Sequence, residues 1–136
     1  QIRLVGSEMC IRDRLKLVEK TANISPIQRK RKIEDINIGE TVYAIGNPQG
    51  LGQSVSMGII SAIGRKFINK EGSFIQTDAS INPGNSGGAL VDSNGNLLGV
   101  INFIESTTGG NQGLNFAIPI DVVSESYSKI LKETKR

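Results

Sequence analysis

Short apolar segments separated by turn-forming residues occupy the middle of the chain, and they predict β-strands. The predicted strands are 41–45, 55–63, 73–77, 89–91, 97–104 and 114–118. The apolar alternation changes phase near Gly58, which predicts a β-bulge in that part of the strand. The sequence Asp-Ser-Asn-Gly-Asn over 92–96 predicts a hairpin turn.

The hydrophobic period changes after the last predicted strand. Apolar residues then recur at spacings of three and four over 120–133, which predicts an amphipathic helix. Pro119 marks the entry, and Asp121 lies near the positive end of the helix dipole. Six strands and one terminal helix predict an all-β chain that forms a small antiparallel barrel.

The first forty residues give weaker signals. Residues 15–18 resemble the end of a strand, and 19–40 form a polar connecting segment with Pro26 and Gly39. Residues 1–14 show neither strand alternation nor a helical stripe. Their string GSEMCIRDR resembles translated sequencing-adapter read-through, so we interpret 1–14 as a leader that is not native to the domain.

The residue types that are missing exclude several kinds of chemistry. The chain has one cysteine, Cys10, so it forms no intrachain disulfide, and a cysteine-based metal site has no support. It has no histidine, which excludes a zinc-protease helix and an intact Ser-His-Asp triad within the chain. We expect no metal and no organic cofactor.

Positive charge is concentrated near the N-terminus, with the run Arg29-Lys30-Arg31-Lys32 as its densest part. Such a run can contact nucleic acid or an anionic membrane. The chain has four Phe, two Tyr and no recognisable nucleic-acid module. We therefore expect a solvated loop before a strand and no nucleic-acid partner.

The segment 78–90, DASINPGNSGGAL, carries the clearest chemical signal. A serine hydroxyl becomes a nucleophile when a base removes its proton, and its reaction needs N–H donors for the oxyanion. Glycines around Ser86 permit a tight turn, and Pro83 stiffens the approach to it. The pattern predicts Ser86 as nucleophile, Gly84 and Ser86 as oxyanion donors, and Asn85 as the residue that shapes the turn.

Two other interpretations of this segment differ in what they require. Gly84-x-Ser86-x-Gly88 also matches the nucleophile elbow of α/β-hydrolases, but that motif needs a following helix and a downstream histidine. Here a hairpin signal follows, and the chain contains no histidine. A glycine-rich turn in a non-catalytic barrel is the third interpretation, and it stays open.

Three separated blocks resemble the HtrA (Deg) family of trypsin-like proteases. They are GETVYAIGNPQGLGQSVSMGIISAIGR, FIQTDASINPGNSGGALVDSNGNLLGVIN and GLNFAIPIDVV, in the family's order and spacing. The resemblance implies the C-terminal six-stranded antiparallel β-barrel of the two-barrel fold, with a C-terminal helix. It also implies that Ser86 is the nucleophile and that Gly84, Asn85 and Ser86 form the oxyanion hole.

The same resemblance implies a substrate pocket. Segment 101–111 would carry part of it, with Ile101, Asn102 and Phe103, and the pocket floor lies six residues before the nucleophile, at Ser80. Since Ser80 is small and uncharged, we expect small or medium aliphatic side chains before the cleaved bond.

The chain departs from the family in its catalytic acid and base. Aligning Leu15-Lys16 puts Ile11 where the family has its Asp, and Asp13 is two residues out of register. We therefore expect a fragment that lacks the His and Asp. Its parts would be a leader (1–14), the end of the N-terminal barrel and the connection (15–40), the C-terminal barrel (41–119), and the helix with the start of a linker (120–136).

These features predict a serine endopeptidase of the HtrA type in protein quality control, here too incomplete to hydrolyse peptides at a useful rate. The alternative is a non-catalytic pseudoprotease or peptide-binding module. The family implies unfolded or misfolded polypeptide substrates, trimer-based homo-oligomers, an extracytoplasmic location and a membrane anchor in the N-terminal part. Without that part, an apolar face within 41–63 or 97–104 would be exposed.

Overall fold

The computed structural model describes residues 2–5, 14–17, 25–47, 52–67, 70–82, 84–104 and 113–133. The chain divides into two units: residues 27–123, and residues 1–26 with 124–136. The strands are β1 Ile2–Val5, β2 Arg14–Leu17, β3 Thr41–Gly46, β4 Ser54–Phe67, β5 Lys70–Thr77, β6 Ala89–Asp92, β7 Leu97–Ile104 and β8 Asn115–Pro119. A 3₁₀ turn spans Ile33–Asp35, and helix α1 spans Ile120–Glu133.

Strands β3 to β8 form the barrel of the larger unit. They close in the order β3-β4-β5-β8-β7-β6, and each neighbouring pair is antiparallel. The closed six-stranded antiparallel barrel followed by a helix, which the sequence predicts, is thereby confirmed. Closure also leaves none of these six strands as a free sheet edge.

The barrel interior follows from the alternation of side chains along the strands. Val42 and Ala44 on β3 are buried, whereas Tyr43 between them and Ile45 after them are less buried. Burying a side chain of the size of Val42 contributes about 1.5–3 kcal/mol to the stability of the fold. The buried core cluster contains Ile36, Val42, Ala44, Ile60, Ile75, Ala79, Ile81, Leu90, Leu98, Ile101 and Ala117.

The bulge that the sequence predicts near Gly58 lies just after that residue. Gly58 pairs in regular register with Val42, and the register shifts come later in β4, beginning between Ile60 and Ala62. Gly58 is glycine for another reason, because a Cβ there would lie 2.6 Å from the Ala79 Cα. The backbone after β5 approaches β4 too closely at this point for any side chain.

Other boundaries differ from the prediction by a few residues. β5 begins at Lys70 rather than residue 73, and β8 runs one residue later than predicted, whereas α1 has the predicted limits. Residues 2–5, for which the sequence predicts no element, form β1, which pairs antiparallel with β2. This pairing supplies the backbone hydrogen bonds that a strand without alternation still needs.

The helical residues described here form no stretch long and apolar enough to traverse a lipid bilayer.

The basic run is partly built into the barrel unit. The Arg31 backbone N–H donates to the Leu97 carbonyl at 3.0 Å, and the Leu97 N–H donates to the Arg29 carbonyl at 2.9 Å. The Arg31 guanidinium donates to Glu40 at 2.8 Å and to Asp92 at 3.1 Å. Arg31 therefore has a structural role, while Arg29, Lys30 and Lys32 are exposed.

These contacts shift the ionisation of all three groups. Hydrogen bonds to Glu40 and Asp92 raise the pKa of Arg31. The hydrogen bond from Arg31 holds the pKa of Glu40 below its ordinary value. Burial acts to raise the pKa of Asp92, but hydrogen bonds from Asn96, Arg31 and Asn94 outweigh it and lower that pKa. We call Arg31, Glu40, Asp92 and Asn96 the Arg31 network.

Candidate active site

Two consecutive tight turns hold Ser86 at an exposed position. The Asn85 N–H donates to the Asn82 carbonyl at 3.0 Å, and the Gly88 N–H donates to the Asn85 carbonyl at 2.9 Å. Gly84 and Gly87 have φ angles of 102° and 87°. Only glycine adopts this left-handed region without a steric penalty, so both glycines are needed for the turn. We call the described residues 82 and 84–88 the nucleophile turn, after the role that the sequence predicts for Ser86.

Strand β7 fixes the second half of the nucleophile turn. The Gly87 N–H donates to the Ile101 carbonyl at 2.8 Å, and the Ile101 N–H donates to the Gly88 carbonyl at 2.8 Å. The Ile101 side chain is 1% exposed and belongs to the barrel core. It is therefore the Ile101 backbone that meets the turn, and a part for this residue in a substrate pocket stays a prediction.

Strand β3 lies against the other side of the turn. A Cβ at Gly46 would lie 2.8 Å from the Asn85 Cγ, and a Cβ at Gly88 would lie 2.8 Å from the Asn85 carbonyl oxygen. Real Cβ atoms do not approach heavy atoms this closely. Gly46 and Gly88 thus let the turn pack directly on the end of β3, and this packing fixes the position of the turn that contains Ser86.

The Ser86 hydroxyl is exposed and has a backbone partner. Its Oγ–H donates to the Asn102 carbonyl at 3.0 Å. A carbonyl oxygen accepts the hydrogen bond but cannot remove the proton at neutral pH, so this contact positions Oγ without activating it. Asn102, one of the predicted pocket residues, thereby lies beside Ser86.

The backbone N–H groups of the turn divide into two sets. Those of Asn85, Gly87 and Gly88 donate to carbonyls. Those of Gly84 and Ser86 donate to no acceptor within the described part of the chain. Unoccupied N–H donors beside a serine hydroxyl are what stabilisation of an oxyanion requires.

Asn85 carries a second unusual feature of the turn. Its side chain is 4% exposed, and its Oδ1 has no hydrogen-bond partner among the described residues. An unsatisfied buried oxygen costs about 1–3 kcal/mol, so such atoms are rare outside strained or functional sites.

The segment containing Ser80 is attached to two strands. The Ser56 hydroxyl on β4 donates to the Ser80 carbonyl at 2.6 Å, and the Asn115 amide on β8 donates to the Ala79 carbonyl at 2.9 Å. The Asp78 carboxylate accepts the Ile59 N–H at 2.7 Å. Ser80 is itself exposed, as a residue lining a pocket must be.

Several predicted parts of the site fall outside the described residues or side chains. Phe103 lies on β7 opposite Phe116, but its side chain is outside them. Pro83, Ile11, Asp13 and most of the loop 105–113 also lie outside them.

Sequence reasoning missed three residues that shape the site: Gly46, Ser56 and Asn115. Asn115 leaves a signal, because it is a lone amide at the start of an apolar strand. Gly46 begins the Gly-Asn-Pro sequence, which predicts a turn but not its contact with Asn85. Ser56 is one of several small residues on β4, and nothing local marks it.

Among the described residues, the site has a hydroxyl and two N–H groups without acceptors, and no side-chain base contacts the hydroxyl. The chain contains no histidine, and the described residues include no group of three His, Cys, Asp or Glu that would hold a metal ion. The exposed N–H groups of Gly84 and Ser86 are available to donate to a carbonyl oxygen, and the Ser86 hydroxyl has only a backbone carbonyl as its described partner.

The chain is similar to known proteins along most of its length. Residues 15–100 match a family model described as a trypsin-like peptidase domain. The serine endoprotease DegS of Haemophilus influenzae is 46% identical over 135 residues, which are 96% of this chain and 39% of DegS. The periplasmic serine endoprotease DegP of Escherichia coli K12 is 50% identical over 99 residues, 71% of this chain and 21% of DegP.

A solved structure gives the same result. The HtrA-type protease AlgW with a decapeptide superposes with a TM-score of 0.85 at 43% identity, covering 98% of this chain and 41% of AlgW. The chain therefore spans about two fifths, or less, of the length of these relatives.

Proposed function

Since the chain belongs to the trypsin-like peptidase domain family and is of the HtrA (Deg) type, we propose that it contributes the nucleophile-bearing barrel of a serine endopeptidase. The catalytic His and Asp would come from a part of the longer protein that this chain does not contain. In trypsin-like enzymes both residues precede the serine, so we place them in a preceding barrel.

The proposed reaction is acyl transfer from a peptide to water. The supplied His removes the Ser86 Oγ proton while Oγ bonds to the substrate carbonyl carbon, and the N–H groups of Gly84 and Ser86 stabilise the oxyanion. The same His gives that proton to the leaving amine as the C–N bond breaks. Water then hydrolyses the Ser86 ester by the reverse roles and restores the hydroxyl.

One observation carries this proposal: the exposed Ser86 hydroxyl lies next to two N–H groups with no acceptor among the described residues. Because Gly84 and Ser86 are exposed, these N–H groups are accessible to the carbonyl oxygen of a substrate. Ser80, small and exposed, supports a pocket for small or medium aliphatic side chains.

The chain alone is proposed to be inactive, or nearly so. Removing members of a serine triad costs several orders of magnitude in rate, and only oxyanion and binding contributions remain. The contact from Ser86 to the Asn102 carbonyl is consistent with a serine at rest. In the longer protein we expect this hydroxyl to turn from Asn102 to the His.

The relatives suggest where and on what the longer protein acts. DegP is named a periplasmic protease, and AlgW is an HtrA-type protease solved with a decapeptide. We extend these to a location outside the cytoplasm and to polypeptide substrates, with unfolded chains as the expected class. Trimer-based assembly and a membrane anchor belong to the same proposal and would involve parts outside this chain.

A peptide-binding role without catalysis is the second candidate. It is favoured by the Ser86 hydroxyl, whose described partner is a backbone carbonyl and not a side-chain base. It predicts that peptides bind near Ser80 and Ser86 and leave uncleaved even when the preceding part is present.

A fusion protein distinguishes the serine endopeptidase from the peptide-binding role without catalysis. The part of Haemophilus influenzae DegS up to the residue that aligns with Arg14 is joined to residue 15 of this chain, giving what we call the DegS fusion. Cleavage of a reduced, unfolded polypeptide is measured for the fusion, for its Ser86→Ala variant and for the 136-residue chain. The proposal predicts cleavage by the unsubstituted fusion only. Binding without cleavage in all three would favour the second candidate.

A further inference from the structure

Strand β3 ends at Gly46, where its backbone lies directly against Asn85 of the nucleophile turn. The three heavy atoms nearest to a Cβ built at Gly46 all belong to Asn85: its Oδ1, its Cγ at 2.8 Å and its Cα at 3.0 Å. The φ angle of Gly46 lies outside the left-handed region, so the backbone conformation itself does not require glycine. The close approach of Asn85 is therefore what excludes a side chain at position 46.

The Asn85 side chain is buried at this contact without a hydrogen bond to its oxygen. It is 4% exposed, and its Oδ1 has no hydrogen-bond partner among the described residues. A buried oxygen without a partner costs about 1–3 kcal/mol, which offsets what the buried side chain contributes to stability. Stability alone therefore does not explain an asparagine at this position. We call its packing on the strand end the Gly46–Asn85 contact.

Asn85 also sets the direction of the Ser86 N–H. The Asn85 carbonyl and the Ser86 N–H belong to one peptide unit, which is planar and trans, so the two groups point in opposite directions. The Asn85 carbonyl accepts the Gly88 N–H at 2.9 Å, and the Asn85 N–H donates to the Asn82 carbonyl at 3.0 Å. A displacement of Asn85 would therefore turn the Ser86 N–H, which has no acceptor among the described residues, away from its present direction.

We propose that Gly46 is a positioning residue for the oxyanion donor of Ser86. Its bare backbone admits the Asn85 side chain, and the seated side chain holds the peptide unit between Asn85 and Ser86 so that the Ser86 N–H points toward the substrate carbonyl. Gly46 thus acts through Asn85 and not on the substrate. The role rests on the proposed function, because an oxyanion forms there only if Ser86 attacks a carbonyl carbon.

Peptide hydrolysis by the DegS fusion tests this role, with Gly46→Ala as the first variant. The added Cβ must displace the Asn85 side chain, and loss of one oxyanion donor lowers kcat by about 10²–10³-fold. We expect kcat of Gly46→Ala to fall at least about 10²-fold, with KM changed much less, because the donor acts on the transition state. An unchanged kcat in a variant that circular dichroism shows to be folded would overturn the proposal.

Asn85→Ala tests the same contact without introducing a clash, so it decides the matter even if Gly46→Ala does not fold. It should also lower kcat. Adding Gly46→Ala in that background should cost much less than Gly46→Ala does alone, because the side chain that the new Cβ meets is gone. Additive effects of the two substitutions on the activation free energy would contradict the proposal, as would an unchanged kcat in Asn85→Ala.

Gly99→Ala is the matched control for a clash elsewhere in the barrel. Its Cβ would lie 2.5 Å from the Ile118 carbonyl oxygen, between β7 and β8. The variant should lower the free energy of unfolding but leave kcat unchanged. An equal loss of kcat in folded Gly99→Ala would mean that reduced stability, rather than the direction of the Ser86 N–H, governs the rate, and the proposal would fall.

The Ser86 amide separates this role from the proposed function. Two-dimensional ¹H–¹⁵N NMR spectra are compared for the 136-residue chain, its Gly46→Ala variant and its Gly99→Ala variant. We expect Gly46→Ala, though distant in sequence, to shift the Ser86 amide signal much more than Gly99→Ala does. A shifted amide together with a fusion that cleaves no peptide would support the role of Gly46 and contradict the proposed function. An unmoved amide would overturn the role of Gly46 even if the fusion is active.

Discussion

The nucleophile turn and the Arg31 network are both polar regions of the barrel unit, but they treat their hydrogen-bonding groups in opposite ways. In the Arg31 network the Asp92 carboxylate accepts bonds from Arg31, from the Asn96 side chain and from two backbone N–H groups. In the nucleophile turn two N–H groups and the buried Asn85 Oδ1 have no partner among the described residues.

The difference separates a structural role from a chemical one. Where polar groups only support the fold, satisfying each of them lowers the free energy, and the Arg31 network does so. Where polar groups must bind a substrate, some hydrogen-bond donors have to lack an acceptor within the protein. The rest of the fold then has to offset the free energy that this costs. On this argument the network should govern stability, while the side chains of the turn should contribute little to it.

Gly88→Ala should have the largest effect, because the backbone of the turn is tightly packed on β3 at this residue. The added Cβ would meet the Ile45 and Asn85 carbonyls. Overpacking of this kind should cost about 3 kcal/mol in the free energy of unfolding. Urea denaturation measures it, with Gly95→Ala as control.

Gly95 has a φ of 75° but open space around its Cα. The control should therefore lose only about 1 kcal/mol from the left-handed backbone conformation. Equal losses in the two variants would contradict the close packing of the turn on β3.

Arg31→Ala should destabilise the barrel by about 2 kcal/mol at pH 7, because it removes charged hydrogen bonds and leaves Asp92, 4% exposed, with fewer donors. Lys30→Ala is the matched control, since its side chain is exposed and its expected effect is within about 0.5 kcal/mol. Chemical denaturation compares them, and similar losses would show that the network is not a main source of stability.

Low pH should remove the contribution of the Arg31 network to the free energy of unfolding. The pKa values of Glu40 and Asp92 are lower in the folded chain than their ordinary values near about 4. Their ionised forms therefore contribute stability that is complete above that pH and is lost as the pH falls through the folded pKa values.

The measurement is the free energy of unfolding of the unsubstituted chain and of Arg31→Ala between pH 7 and pH 2. The difference between the two should shrink below about pH 4. A difference that stays constant over this range would show that charge at Glu40 and Asp92 is not its source.

The smallest effects should separate two asparagines. Asn96→Ala removes a donor to Asp92 and should cost about 1 kcal/mol. Asn85→Ala removes an unsatisfied buried oxygen, which favours the variant, and also removes buried side-chain contacts, which disfavours it. The two effects should nearly cancel, leaving a change of less than about 0.5 kcal/mol. Thermal unfolding of both variants makes the comparison. A larger loss for Asn85→Ala would mean that its side chain supports the fold.

The sequence predicts those parts of the molecule whose signals are local. Helix α1 and strand β7 have their predicted limits, because the apolar period and the flanking turn residues define them within a few positions. Ser86 and its glycines stand out for the same reason, since a tight turn needs residues of special backbone freedom close together.

Features that depend on distant residues were beyond that reasoning. Arg31 reaches Asp92 across 61 positions, and Asn115 reaches Ala79 across 36. The close approach of Ala79 to Gly58 also depends on a separate strand connection, so the sequence near Gly58 does not reveal it. A single sequence shows which residues are available for such long-range contacts, but it does not show which of them the fold brings together.

The central claim is that Ser86 is a nucleophile with oxyanion donors but without a base in this chain. The most direct test is the rate at which a fluorophosphonate labels Ser86 in the 136-residue chain and in the DegS fusion, with Ser86→Ala as the blank. We expect labelling of the chain to be at least about 10³-fold slower than labelling of the fusion. Fast, stoichiometric labelling of Ser86 in the 136-residue chain would contradict the claim.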